Sequence, residues 1–553
     1  MFQMKAIPTI IILFYLQILT FGVFGQSADI QLSSDILLRQ SDEYQGLIHS
    51  DESGYILHIY ERSGRGLLDL PGRTLILEKY DKAFEQVYSY AYGDADMVSV
   101  ELFAVANKLA WIVIEKTGSY KYTYSLIPID YDGKEGKKQK LFEIEVAKTI
   151  DVPFTYLRPS PDSSTVAFVA LFDSDKKKRE TEVYTAVIDE NASLLWDKFS
   201  TLKGNQKQYD VMDFQLNAKN ELVLLAKYFR DSKAKNEVDN KRGEKVPGYQ
   251  INSYTISAES RIPKKQTLEL DEAFVHDARL KFFPSGDLYS VGLLTEKHKG
   301  NISGLYVAQH DDLMQVTGVQ KSYFDIQDLI SLDKGDANVN LRKKDNKGLD
   351  DEFKLIDIFQ LPNRDLIITA EENFARVQNQ NNFNNSTFNR GFNNGNNNVT
   401  YLNSNDVVIL RTNSAGEMDG ITLLPKKQMQ LIYRGFNYFK PSDDALRESS
   451  LHLSHVNLVH NGKLYFLYNE HRDNFRERKT RKVANRLNRM EPALVTIHSD
   501  LEYEIKPLLP EDANTLIAPT RSQQIGSNQY FVTFVEPHTN ERHNIKIGVM
   551  TFR

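Results

Sequence analysis

An acidic residue recurs at the end of one type of apolar segment. The segments read YILHIYE (55–61), LAWIVIE (109–115), VAFVALFD (166–173), LYSVGLLTE (288–296), DLIITAE (365–371), LYFLYNE (464–470) and YFVTFVE (530–536). The acids are Glu61, Glu115, Asp173, Glu296, Glu371, Glu470 and Glu536. Carboxylates held at equivalent heights would bind cations, basic peptide or sugar hydroxyls. Two of them converging at roughly 5–9 Å would suffice for acid–base chemistry on a glycosidic bond. The competing reading is structural: a carboxylate that enters a turn accepts backbone N–H bonds and caps the loop. Recurrence in unit after unit favours the structural reading, because an active site needs one constellation rather than one per repeat.

Two other segments carry binding chemistry. Residues 471–490, HRDNFRERKTRKVANRLNRM, are strongly basic. Arg472, Arg476, Arg478, Lys479, Arg481 and Lys482 suit an acidic partner or anionic lipid headgroups, and a solvated charged loop explains them equally well. Val483, Leu487 and Met490 stand at helical spacing, which predicts a short amphipathic helix. Residues 431–439, LIYRGFNYF, put Tyr433, Phe436, Tyr438 and Phe439 in a loop. They either pack over a rim, the favoured reading, or form a protein-binding hot spot.

Much chemistry is excluded. The chain has no cysteine, which removes disulfides, thiolate metal sites, a thiol nucleophile and a lipidated N-terminal cysteine. HExxH, GxSxG and a phosphate-binding glycine loop are absent, and His471 and His538 match no metal-ligand spacing. Asp130–Gly133 lacks the further ligands of a calcium loop. No catalytic residue, metal or cofactor is assigned. A net charge of -6 over 553 residues gives no basic excess for nucleic acid.

The elements that must position these residues are short strands. The acid-terminated segment is preceded by a tight polar turn, such as PSPDSS, NAKN, PSGD, LPNR or HNG, and followed by another strand, such as VYTAVID (183–189) or VVILRTN (407–413). LVLLAKY (222–228) fits the segment pattern without the acid. Eight four-stranded units are expected near 43–93, 95–148, 152–201, 208–271, 274–322, 350–426, 449–509 and 513–553. Seven or nine units, or two separate β-domains, are the alternatives. The last unit has three strands, and Ile30–Leu38 is a spare one that would complete it and close a ring.

The whole chain after residue 25 resembles the β-propeller superfamily. It looks most similar to exported propellers of Bacteroidota, on the turn at Asn413–Gly420 and the segment YNEHRDN at 468–474. The resemblance implies an all-β propeller, most simply of eight four-stranded blades closed by the N-terminal strand. Residues 1–25 read as a signal peptide: Lys5, an apolar stretch over 7–24, and small Val23 and Gly25 before an expected mature start at Gln26. No later segment is apolar enough to span a bilayer. Export without cysteine points to the periplasm or to the cell surface and outer membrane.

With strands lettered A to D, A–B and C–D turns share one face, and B–C and D–A connections share the other. The long insertions all fall in the second set: B–C at 62–72, 230–247, 374–404 and 471–490, and D–A at 323–349 and 427–448. Residues 376–404 are an asparagine-rich, low-complexity tract expected to stay disordered. Function is expected on the elaborated face. The reading is a non-enzymatic binding or scaffold protein that holds a protein partner in an envelope assembly. A glycan-active enzyme (hydrolase or lyase) and a sugar-binding lectin are the alternatives.

Overall fold

The computed structural model describes residues 28–38, 42–63, 72–93, 97–118, 121–145, 154–160, 162, 164–173, 180–231, 233, 235–311, 314–332, 348–379, 398–434, 452–475, 481–509, 515–536 and 544–552. The signal-peptide expectation at 1–25 lies outside them. The fold is an all-β propeller of eight blades, each an antiparallel meander of four strands. Blades 1 to 7 span Asp42–Tyr92, Met97–Glu145, Phe154–Lys203, Tyr209–Thr267, Phe274–Tyr323, Phe353–Leu424 and Val456–Pro507. Blade 8 takes Leu516–Ile517, Gln529–Val535 and Asn544–Phe552 from the C-terminal end and its outer strand, Ala28–Leu32, from the N-terminal end. Ala28 pairs with Phe552 and Leu32 with Gly548, so the closure expected at Ile30–Leu38 forms, with a second short pairing at Ile36–Leu37.

Strand B of each blade is apolar on both sides because a blade is buried against two neighbours. In blade 2, Leu109, Trp111 and Val113 face blade 1, while Ala110, Ile112 and Ile114 face blade 3. In blade 8, Tyr530, Val532 and Phe534 face blade 7, while Phe531 and Val535 face blade 1. The core is therefore eight separate apolar layers, one between each pair of adjacent blades. The layer between blades 8 and 1 holds Tyr44, Leu57, Phe531 and Ile547 together and closes the ring. Each fully buried large side chain in these layers contributes about 1.5–3 kcal/mol.

Strand A is different. It contacts strand A of the next blade in several blades and lines the inner edge of the ring. Its register shifts by a bulge in blades 1, 2, 4, 5 and 6. The residue just past the bulge is an acid in four of them: Glu101, Asp213, Asp277 and Asp357.

The insertions depart from expectation in three places. In blade 6, strand B runs Leu366–Asn379 and strand C runs Asn398–Thr412, so both ends of the asparagine-rich tract are strand. Gln428–Arg434 adds to this projection by pairing with the early part of strand C, which puts Tyr433 on a strand opposite Thr400 rather than in a loop. The side chain of Tyr433, together with Phe436, Tyr438 and Phe439, lies outside the described residues. The helix expected over 483–490 is instead an extended segment with one 3-10 turn, Leu487–Arg489. Ala484 explains the difference: its N–H donates to Lys427 O and its carbonyl accepts from Met429, which commits the backbone to pairing.

Candidate functional site

The strand B acids have sharply different surroundings, and Glu371 does not end its strand as expected, because strand B of blade 6 runs on to Asn379. Glu115 accepts from Lys138 Nζ at 2.6 Å in a half-exposed pair. Glu536 accepts from Asn544 Nδ2 and Lys546 Nζ at 3.3 Å, and Lys546 also reaches Asp35, 3.2 Å away beside the closing strand. Glu61 is half-buried near the end of strand B of blade 1, between Thr74 and Asp42 on the flanking strands. Glu296 is exposed. Asp173 closes strand B of blade 3, and its side chain lies outside the described residues.

Glu371 and Glu470 are brought into one buried polar network between blades 6 and 7. Glu371 is fully buried. Its Oε1 accepts from Lys426 Nζ, from Ser404 Oγ at 2.9 Å and from His455 Nδ1 at 2.9 Å; its Oε2 accepts from Asn373 Nδ2 at 2.7 Å and Ser454 Oγ at 2.8 Å. Lys426, also fully buried, donates as well to Ser404 Oγ and to Gln428 Oε1 at 3.2 Å. Gln428 carries the network onward by donating to Asn469 O at 2.8 Å. Asn469 bridges to blade 8 by exchanging bonds with both the carbonyl and the N–H of Ile517.

Glu470 anchors the other half. Its Oε1 accepts from its neighbour's backbone, His471 N, and from Asn474 Nδ2, both at 2.7 Å, and its Oε2 from Tyr468 Oη at 3.1 Å and the Arg481 guanidinium. The Tyr468 hydroxyl is held well above its ordinary range, first by burial and then by the adjacent Glu470 charge. Arg481 thus faces inward, and its side chain is 9 % exposed. Lys482 pairs with Asp473, and Arg472 with Glu491. Arg476, Arg478 and Lys479 lie outside the described residues.

The strand-A acids form a second repeated system. Asp213 Oδ2 accepts from Leu280 N of the next blade at 2.9 Å, and Asp277 Oδ2 accepts from Leu355 N of the blade after at 2.8 Å. These carboxylates stitch the inner edges of blades 4, 5 and 6. Beside them, a cavity of about 150 Å³ is lined by Arg158, Asp213, Arg279, Lys281 and Asp357. Two of its cations are paired, Arg158 with Asp213 at 3.3 Å and Lys281 with Asp357 at 2.7 Å. Sequence reasoning passed over these acids, although Val211-Met-Asp213-Phe214, Val275-His-Asp277-Ala278 and Leu355-Ile-Asp357-Ile358 repeat one pattern.

A carboxyl next to the network is perturbed. Glu372 is 6 % exposed. Burial is the main cause that pushes it up to about 7, with Asp406, Asp350 and Glu352 adding like charge and Asn405 opposing. Among the described residues, no group of three or more His, Asp or Glu side chains is arranged to hold a metal ion. No helix there is long and apolar enough to cross a membrane.

No protein-family model matches the chain, and no curated protein matches it. Among solved structures it is similar to the WD40 domain of SCAP from fission yeast, with TM-score 0.35, 6 % identity and coverage of 95 % of this chain and 98 % of that one. It is also similar to the polysaccharide lyase Uly1, with TM-score 0.36, 10 % identity and coverage of 95 % and 100 %. A post-proline cleaving enzyme from Rickettsia typhi aligns at TM-score 0.33 and 10 % identity, over 90 % of this chain and 58 % of that one. Likeness this loose transfers no ligand and no reaction.

Proposed function

We propose that this is an exported, non-enzymatic binding propeller of the bacterial envelope, of the kind found in Bacteroidota, which holds a protein partner on the face bearing its B–C and D–A insertions. The observation that carries the reading is the projection of blade 6. Strands of 14 and 15 residues leave the ring, a third strand joins them, and the fully buried Glu371–Lys426–His455 cluster fixes their root. A rigid sheet raised from one face is a surface for recognition by complementarity. Glu371 and Glu470, the two strand-B acids brought together, are each engaged by a cation and several donors inside the molecule. The inward turn of Arg481 and the pairing of Lys482 and Arg472 favour a protein contact over a lipid surface for 471–490.

The absence of cysteine makes the test clean. Lys235→Cys, on the blade 4 insertion, and Asn363→Cys, on a trimmed A–B turn, each carry a photocrosslinker through the only thiol in the chain. Purification from the native envelope in mild detergent is expected to yield a stoichiometric protein crosslinked from the Lys235 position. Crosslinking confined to the Asn363 position would overturn the assignment of the face.

The second reading, glycan chemistry, has Glu372 in its favour: a carboxyl held near 7 by burial has the property of a general acid. Glycan turnover that Glu372→Gln abolishes while leaving the fold intact would establish it over the first.

A further inference from the structure

A cavity of about 290 Å³ opens on the insertion-bearing face where blades 4, 5 and 6 meet. Its charged lining is three lysines, Lys227, Lys299 and Lys354, against one aspartate, Asp351, and two histidines, His276 and His298, stand beside them. That imbalance stands out in a chain whose net charge is -6. The polar walls are completed by Asn236 and Thr295, and Tyr249 and Phe274 supply flat apolar surface.

The lysines form no ion pairs among the described residues. Lys227 Nζ donates to His276 O at 3.4 Å and sits 5.2 Å from the centre of the Tyr249 ring. Burial lowers the pKa of Lys227; Asp210 and Asp277 raise it, and Lys354 lowers it further. Among the described residues, no carboxylate oxygen lies within ion-pair distance of Lys227, Lys299 or Lys354. Asp277 is already committed, with Oδ1 to Ala278 N at 3.0 Å and Oδ2 to Leu355 N at 2.8 Å. Lys354 Nζ lies 3.3 Å from His276 Nε2, and His276 is kept neutral, pushed down to about 4 by burial and then by Lys354. The neighbouring axial cavity is the contrast, because Arg158 and Lys281 there have their acids. Asp210, across the strand pair from Lys227, and Asp277 act on it without forming an ion pair, and a partly desolvated ammonium with no directly paired acid is costly and becomes favourable when an anion enters.

We propose that this pocket binds a small oxyanion, a phosphate- or carboxylate-bearing molecule, with Lys227 and Lys354 as its main charge partners and Tyr249 against its uncharged part. The cavity volume is at the small end for ligand sites, which suits one or two charged groups on a small organic frame. The site is separate from the blade 6 projection and does not depend on what that projection holds.

The test is calorimetric titration of the purified protein at low salt with inorganic pyrophosphate and, separately, citrate. At least one is expected to bind once per chain, at about 1 mM or tighter. Lys227→Gln and Lys354→Gln should each weaken binding about tenfold or more. Arg279→Gln, in the axial cavity, should leave it within about twofold. Binding by pyrophosphate alone identifies the ligand as a phosphate, and by citrate alone as a carboxylate. Lys354 is exposed, so its substitution is expected to leave the melting temperature unchanged and isolates charge from folding. Failure of both probes to bind the wild-type protein overturns the proposal. So does binding that is lost in Arg279→Gln and retained in the Lys227→Gln/Lys354→Gln double variant.

Discussion

Blades 2 and 6 carry the same residue type at the corresponding position of strand B and use it in opposite ways. In blade 2, Glu115 meets Lys138 in a pair whose side chains are 23 % and 45 % exposed. In blade 6, Glu371 meets Lys426 in a pair that water does not reach, with Ser404, Ser454 and His455 completing the shell. The repeat dictates the carboxylate, and the insertion above it dictates its energetics. Where the connection is short, the acid is a surface charge with little effect on stability. Where a projecting sheet covers it, the acid must be paired and fully hydrogen-bonded, because an unpaired buried charge is costly.

The largest expected effect is at the buried pair. Removing one partner, by Glu371→Ala or Lys426→Ala, strands the other and should cost about 3–5 kcal/mol in urea unfolding. Replacing both, by Glu371→Leu with Lys426→Met, should cost much less than the sum of the two. At Glu470, Arg481→Met should cost about 1.5–3 kcal/mol by taking away a charge-assisted bond. Limited proteolysis should then cut within 471–490 while the ring stays resistant, since the Asn474 and Lys482 contacts beside Glu470 lose the Arg481 anchor.

Glu372 sharpens the comparison through pH. Its folded pKa of about 7 lies above the ordinary glutamate value of 4.5, so its stabilising contribution is complete below pH 4.5 and is lost as pH rises to 7. The loss is about 3 kcal/mol at most. Glu372→Gln should therefore be more stable than wild type at pH 8 and indistinguishable from it at pH 4.5, by urea midpoint. Buried histidines act with the opposite sign. His58 is pushed down to about 3 and His276 and His310 to about 4, chiefly by burial, so the stability they allow is present above 6.5 and lost as pH falls toward 4. The smallest effect is expected for Glu115→Ala, about 0–1 kcal/mol.

The ring was legible in the sequence because strand B is buried on both faces, which leaves runs such as LAWIVIE that recur at blade spacing. The closing strand was legible as an unpaired apolar segment opposite an incomplete last blade. The buried network was not. Lys426 reaches Glu371 across 55 residues and His455 across 84, and no local pattern encodes those meetings. Composition misled at the ends of the asparagine-rich tract, whose residues 380–397 lie outside the described ones, since ladder hydrogen bonds are made by the backbone and Val399–Ser404 pairs on both sides whatever its side chains. Helical spacing misled at Val483–Met490, where pairing of Ala484 with the Lys427–Met429 backbone outweighs an apolar stripe. The strand-A acids carried a repeat signal that a search anchored on strand B passes over.

The contrast between the two acids is tested most directly by double-mutant cycles on both pairs in the same protein, Glu371 with Lys426 and Glu115 with Lys138. The coupling energy is expected to be about 2 kcal/mol or more for the covered pair and under about 0.5 kcal/mol for the open one. Equal couplings would contradict the claim that the blade 6 projection turns a repeated surface acid into its anchor.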